Sequence, residues 1–344
     1  MAESLKPLYF LVIANEKVGM GHLARCLMLA NEARKQNISA TFLCPETSPP
    51  ALQKISDAGF YVHEVPISNP SEALKSQPPG LLVIDIDAPW AYDEKWQHQV
   101  KEYGFGLWYI TIHDQYTYWA DVVMNPNILA ETQTFRAQPQ THLLLGPNYF
   151  ILHPKFQGIR RPTVAVPSSN LTILVTFGGS DPAGLTQQVV ASLALLPKGM
   201  VNSVLVVVGP LYAKVEELKN QLVDLGLPYT LHQNIPNLEL IMLQCDLAIT
   251  SSGLTYWELS ALNIPSLTLS ASVREKRTAE YLHEQGYTYL LGHFDAQPTS
   301  AQMANTLQGL IEAGIHQKIN TVALADKINL RGIETVIEKM KGYL

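Results

Sequence analysis

Apolar positions along this chain form short unbroken runs, separated by stretches with helical spacing. In the first half, runs of strand length occupy 8–14, 40–43, 81–86, 106–112, 122–124 and 142–145. Between them, 23–35, 52–58 and 92–103 place apolar side chains three and four apart, which predicts helices. Unbroken apolar strands alternating with helices argue for a parallel sheet covered on both faces. Between 156 and 171 the texture changes to prolines, a glycine and few large side chains, which predicts a domain boundary. The alternation then restarts, with strands at 171–176, 203–208, 229–232, 247–250 and 266–269. Helices are expected at 182–195, 211–225, 238–245, 255–262 and 274–285, then at 303–313 and 326–344. The expected class is α/β: two doubly wound domains, 1–157 and 171–325, facing a cleft, with 326–344 as a terminal helix packing back on the body.

Composition narrows this picture. A chain of 344 residues exceeds the size at which one core usually stops growing, and its 47% hydrophobic content can fill two. A net charge of −6 gives no support for nucleic-acid binding, which shows as a basic surplus. Cys26, Cys44 and Cys245 are few and scattered, without zinc spacing, as in a reducing compartment. No apolar run reaches the roughly 18 residues that span a bilayer. The cytoplasm is the expected location. Membrane attachment is not indicated, and the oligomeric state is not written in the pattern.

Chemistry concentrates where strands break into glycine turns. After the first strand, Gly19-Met20-Gly21-His22 opens a helix, so free N–H groups and a positive dipole end meet an imidazole able to move a proton. Arg25 follows His22 at i+3 on the same face, either to pair with a diphosphate or to lie in solvent. Asp85 and Asp87 end the run Leu-Leu-Val-Ile-Asp-Ile-Asp, either as carboxylate partners of that site or as turn caps, and His113-Asp114 ends another strand with the same choice. The second turn is Phe177-Gly178-Gly179-Ser180-Asp181-Pro182, with Ser180 or Asp181 suited to the cap and Pro182 to the first helical position. The third is Ser251-Ser252-Gly253-Leu254-Thr255, with Glu258 three residues after Thr255. Thr255 and Glu258 either form a capping box, or Ser252 and Gly253 hold phosphate while Glu258 accepts ribose hydroxyls. No histidine spacing suits a catalytic metal, and neither a nucleophile elbow nor a P-loop is present.

Taken in order, these turns resemble the UDP-2,4-diacetamido-2,4,6-trideoxy-β-L-altropyranose hydrolases of pseudaminic acid biosynthesis and the related spore-coat polysaccharide proteins. That group is itself similar to the MurG-type glycosyltransferases of the GT-B fold. The resemblance rests on Gly19 to Cys26, Ala120-Asp121 with Asn125-Pro126-Asn127, Gly146-Pro147-Asn148-Tyr149-Phe150-Ile151-Leu152, Gly178 to Pro182, and Ser252-Gly253 with Glu258. It implies a small-molecule UDP-sugar as ligand and no cofactor. By the same resemblance His22 is the base that activates water, Gly178, Gly179, Ser252 and Gly253 contact the diphosphate, and Glu258 the ribose. Gly19, Gly21, Arg25, Asp85, Asp87 and Tyr149 are the candidate sugar-site residues, and Ser180 and Thr255 complete the candidate nucleotide site. A glycosyltransferase with the same donor, and a nucleotide-sugar binder without turnover, are the alternatives. The chain departs from the family pattern at Asn15, Asp87, His153, Arg274 and Glu275, mostly where the sugar would be read.

Overall fold

A computed structural model of the chain describes residues 5–67, 70–161 and 170–344. Much of the expected boundary, 162–169, lies outside the described residues. The chain divides into two compact units, Met1–His153 with Asn329–Leu344, and Pro154–Ile328.

In the first unit the strands are β1 (Leu8–Val12), β2 (Ala40–Cys44), β3 (Tyr61–Glu64), β4 (Leu81–Asp85), β5 (Gly106–Ile110), β6 (Val122–Asn125) and β7 (His142–Leu145). They form one sheet in the order β3-β2-β1-β4-β5-β6-β7, every pair parallel. Every residue of β1 and β4 is buried, as central strands covered on both faces require. Helix α1 (Gly21–Lys35) buries Leu23, Cys26, Leu27, Ala30 and Ala33, one stripe at helical spacing, and Asn37 beyond its end takes the left-handed conformation with φ 59°.

The second unit repeats the plan. Strands β8 (Leu171–Thr176), β9 (Val201–Val208), β10 (Tyr229–Gln233), β11 (Leu247–Thr250), β12 (Ser266–Ser270) and β13 (Tyr289–His293) pair in parallel in the order β10-β9-β8-β11-β12-β13. Its helices include α2 (Leu185–Leu193), α3 (Val215–Val223), α4 (Leu254–Ala261), α5 (Val273–Glu284) and α6 (Ser300–Glu312). Leu185, Val189 and Leu193 of α2 and Met303, Leu307 and Ile311 of α6 share one core with the sheet's apolar face. The chain then returns to the first unit, where helix α7 (Gly332–Lys341) packs against α1. Gly332 is required there: a Cβ would stand 2.0 Å from the carbonyl oxygen of Phe150.

Both sheets reverse strand order between their first and fourth strands, β1/β4 and β8/β11. Such a switch point leaves a crevice at the carboxyl ends of the strands, because the flanking helices depart to opposite faces. Among the described residues no helix is long and apolar enough to cross a membrane.

Several elements differ from the sequence expectation. The helix expected over 92–103 splits into a 3-10 turn, Pro89–Tyr92, and a helix, Glu94–Glu102. Asp93 makes the break, its carboxylate accepting the Trp96 N–H at 3.1 Å. The helix expected from Pro182 starts three residues later, at Leu185. Strands β3 and β13 had no counterpart in the apolar pattern.

Candidate functional site

The first switch point gathers charge. Val12, the last residue of β1, stands in register with Asp85, the last of β4. Between β1 and α1 the chain turns on Asn15, whose Oδ1 accepts the N–H groups of Lys17 (3.0 Å) and Val18 (3.1 Å) and whose Nδ2 donates to the Glu46 carbonyl at 2.9 Å. Gly19 completes the turn at φ 80°, where a side chain would be strained. The turn delivers His22 and Arg25 onto the fully buried Asp85.

His22 Nδ1 lies 2.6 Å from Asp85 Oδ1. Arg25 donates through Nε to Oδ2 (2.5 Å) and through Nη2 to Oδ1 (2.6 Å). Burial alone would raise the Asp85 carboxyl, but the charges of Arg25 and His22 and their hydrogen bonds hold it at about 2. An ionised carboxylate at this distance needs a hydrogen on Nδ1, which leaves the lone pair on His22 Nε2. Among the described residues nothing bonds to Nε2, and the imidazole keeps 16% of its side-chain surface exposed. The triad is an imidazole fixed in the tautomer that accepts a proton. Arg25 therefore neither lies free in solvent nor offers its guanidinium wholly to a ligand.

Asp87 and His113 meet in the same unit, with Nε2 to Oδ1 at 2.6 Å. Tyr149 ends the 3-10 turn Pro147–Tyr149, which follows β7 at the edge of the same sheet.

At the second unit's switch point, Thr176 ends β8 in register with Thr250 of β11. Gly178, at φ 78°, is exposed, and Gly179 presses backbone to backbone on Gly209. A Cβ on Gly209 would fall 2.4 Å from Gly179 Cα, and Gly179 also accepts the Leu211 N–H at 3.0 Å. Gly209, one residue past the end of β9, is thus a support for this loop. Asp181 takes φ 44° and accepts the Leu185 N–H (3.0 Å) and the Thr186 N–H (2.8 Å). This corrects the expected cap. Pro182 is not the first helical position, and two first-turn N–H groups of α2 are already bound by a carboxylate. Gly178 is exposed and Ser180 partly exposed in the loop before α2.

The third turn, Ser251-Ser252-Gly253, leads into α4 with Gly253 at the N-cap and no side-chain cap. The capping box of Thr255 and Glu258 is therefore absent. Ser252 Oγ donates to the Glu275 carbonyl at 3.2 Å, and Glu275 Oε2 accepts the Ala271 N–H at 2.9 Å. Glu275 Oε1 lies 3.4 Å from Ser251 Oγ and would stand 3.1 Å from a Cβ on Gly253. A carboxylate thus borders this turn, and burial raises its pKa. Glu258, in the second turn of α4, is partly buried, and its carboxyl has no hydrogen-bond partner among the described residues. Burial, with the charge of Glu239 added, pushes its carboxyl up to about 7. An unpartnered, largely desolvated carboxyl is costly to keep, which fits a group awaiting ligand hydroxyls.

Residues 172–324, within the second unit, match the model of the glycosyltransferase family 28 C-terminal domain. An uncharacterized protein of Methanocaldococcus jannaschii is 29% identical over 312 residues, 86% of this chain and 63% of that protein, so the chain spans under two thirds of that relative. The spore coat polysaccharide biosynthesis protein SpsG of Bacillus subtilis is 27% identical over 280 residues, 80% of each chain. Among solved structures, MurG of Acinetobacter baumannii superposes with a TM-score of 0.69 at 13% identity, covering 98% of this chain and 99% of its own. HepE of Anabaena, crystallised with UDP-glucose, superposes at 0.64 with 14% identity, covering 98% and 100%. The chain has the GT-B fold, with two Rossmann-like α/β units.

Proposed function

We propose that this protein acts on a UDP-linked sugar, probing its anomeric carbon with a nucleophile activated by His22, and that the nucleophile is water. The observation that carries this reading is the His22–Asp85–Arg25 triad, whose geometry leaves Nε2 as a proton acceptor. Water gives its proton to Nε2 as its oxygen bonds to the anomeric carbon. The bond from that carbon to the diphosphate oxygen breaks, and UDP leaves with the electron pair. Asp85 stays ionised and stabilises the imidazolium that forms. A base so placed supplies about 10²–10⁴-fold. The loop around Gly178 and Ser180, with Ser252 and Gly253, is assigned to the diphosphate, and the unpartnered Glu258 to the ribose hydroxyls. UDP is the assigned nucleotide because HepE, with the same fold, is crystallised with UDP-glucose.

The family 28 match favours a second reading, transfer to an alcohol or amine in place of water. One experiment separates the two: purified protein is incubated with a panel of UDP-sugars and free UDP is measured. Release without acceptor supports hydrolysis, and release only with an added acceptor supports transfer. No release in either case, with no binding of the UDP-sugars in calorimetry, overturns the reading.

A further inference from the structure

Two residues beyond Asp85, the same strand end makes a second imidazole–carboxylate contact that the chemistry at His22 leaves unused. His113 Nε2 lies 2.6 Å from Asp87 Oδ1, with 19% and 30% of the two side chains exposed. The Gln115 amide nitrogen stands 3.2 Å from His113 Nδ1. An amide N–H donating to Nδ1 puts the ring hydrogen on Nε2, directed at Asp87. The ring is flanked edge-on by Tyr92 and Tyr116, at 5.5 and 5.8 Å between centroids. Its backbone is pinned at both ends: the N–H donates to Thr111 Oγ1 at 3.1 Å, and the carbonyl accepts the Tyr118 hydroxyl. The Asp87 side is held as well, because the buried Tyr92 hydroxyl donates to the carbonyl of Ile86, between the two aspartates, at 2.8 Å.

A half-exposed imidazole–carboxylate contact contributes about 0–1 kcal/mol to stability, so the many groups fixing one imidazole against Asp87 do little for folding through that contact. They do fix the direction of a hydrogen-bond acceptor, as a binding site requires. Strand order adds the location. Asp87 follows β4 and His113 follows β5, the neighbour of β4 on the side away from β1, so the pair continues the carboxyl edge that carries the His22 triad.

We infer that Asp87 determines sugar specificity and His113 is its positioning residue: Asp87 accepts a hydrogen bond from a hydroxyl or amino hydrogen of the glycosyl group attacked at the His22 centre. This rests on the proposed action on a UDP-sugar. An ionised carboxylate can only accept, so the pair selects sugars with a donor at one position and rejects the deoxy counterpart.

The test uses the full-length protein with UDP-sugars that differ by a single hydroxyl or amino group, and follows UDP release. Asp87→Asn should raise KM for the preferred sugar about 10- to 100-fold, keep kcat within a few-fold and flatten the preference over the deoxy analogue. His113→Gln, whose amide can still donate to Asp87, should retain the wild-type KM, while His113→Phe should follow Asp87→Asn. Where the wild type binds without turnover, Kd from calorimetry replaces KM. Active wild type with unchanged KM and preference in Asp87→Asn overturns the inference, even if the variant melts earlier. A wild type that neither binds nor consumes any UDP-sugar overturns the functional reading, and the inference with it.

Discussion

The two units build their switch points from the same strand order and opposite electrostatics. In the first, a fully buried carboxylate is met by a guanidinium and an imidazole, and Asp85 is held at about 2. In the second, the Glu258 carboxyl is desolvated beside the like charge of Glu239, whereas Asp181 and Glu275 accept backbone N–H groups and Glu275 also feels the charge of Arg274. Glu258 is pushed up to about 7, and Glu275 and Asp181 are raised as well. Pairing fixes one protonation state and one tautomer, which suits a group that must move a proton. Unpaired burial leaves a carboxyl poised to gain partners, which suits a group that waits for a ligand. Backbone finishes the contrast: the first unit holds its charges with side chains, and the second shapes its loops through glycines 178, 179 and 209.

The largest test of this division is His22→Ala. UDP release should fall by about 10²–10⁴-fold, while UDP affinity in calorimetry stays within about twofold of wild type. A variant that turns over normally would remove the base from the first unit.

Asp85→Asn comes next. It strands the Arg25 charge and loses the tautomer control of His22. Removing one partner of a buried pair costs about 3 kcal/mol here, at the low end because His22 and Arg25 keep some exposure. That is a fall in Tm of roughly 6–12 °C by calorimetry. An unchanged Tm would mean the pairing contributes nothing to the fold.

Gly209→Ala should cost about 1–3 kcal/mol, since its methyl group would overlap the Gly179 backbone. It should also weaken UDP binding in calorimetry by displacing the Gly178–Ser180 loop. Retained affinity would separate that loop from the diphosphate.

The smallest effect is a slope. Because Glu258 is raised when folded, the native state holds a proton that the unfolded chain has already lost above about pH 4. Its contribution is greatest below that point and disappears as pH rises through about 7. Asp85 runs the other way, contributing above about pH 4 and losing its effect as pH falls toward 2. In denaturant titrations between pH 5 and 8, Glu258→Gln should therefore flatten the decline in stability seen for wild type. A decline of equal slope in both proteins would show that Glu258 does not titrate there.

Much of the architecture was legible in the apolar runs, because fully buried parallel strands such as β1 and β4 carry no polar interruption. β3 and β13 escaped notice because they are edge strands. β3, Tyr-Val-His-Glu, is largely exposed, and β13 is partly buried throughout, so neither shows a continuous run or a clean alternation. At the candidate site, His22, Asp85 and Glu258 were picked out as residue types at strand ends and helix starts. Arg25 and a carboxylate partner from Asp85 or Asp87 were named too, but which aspartate pairs was left open, since Asp85 lies 60 residues from Arg25 and 63 from His22. The helix start expected at Pro182 is displaced for a local reason, although Asp181 does bind first-turn N–H groups. Proline and aspartate together signal a helix start, but the φ of Asp181 moves that start downstream.

Period and punctuation in the sequence alone determined that two strand–helix alternations exist and that glycine turns follow their leading strands, because backbone conformation and burial act residue by residue. Only the tertiary structure decided which charges neutralise one another. Pairing depends on distances across strands and helices that the chain order does not encode, and those distances make Asp85 a fixed anion and Glu258 a titrating one.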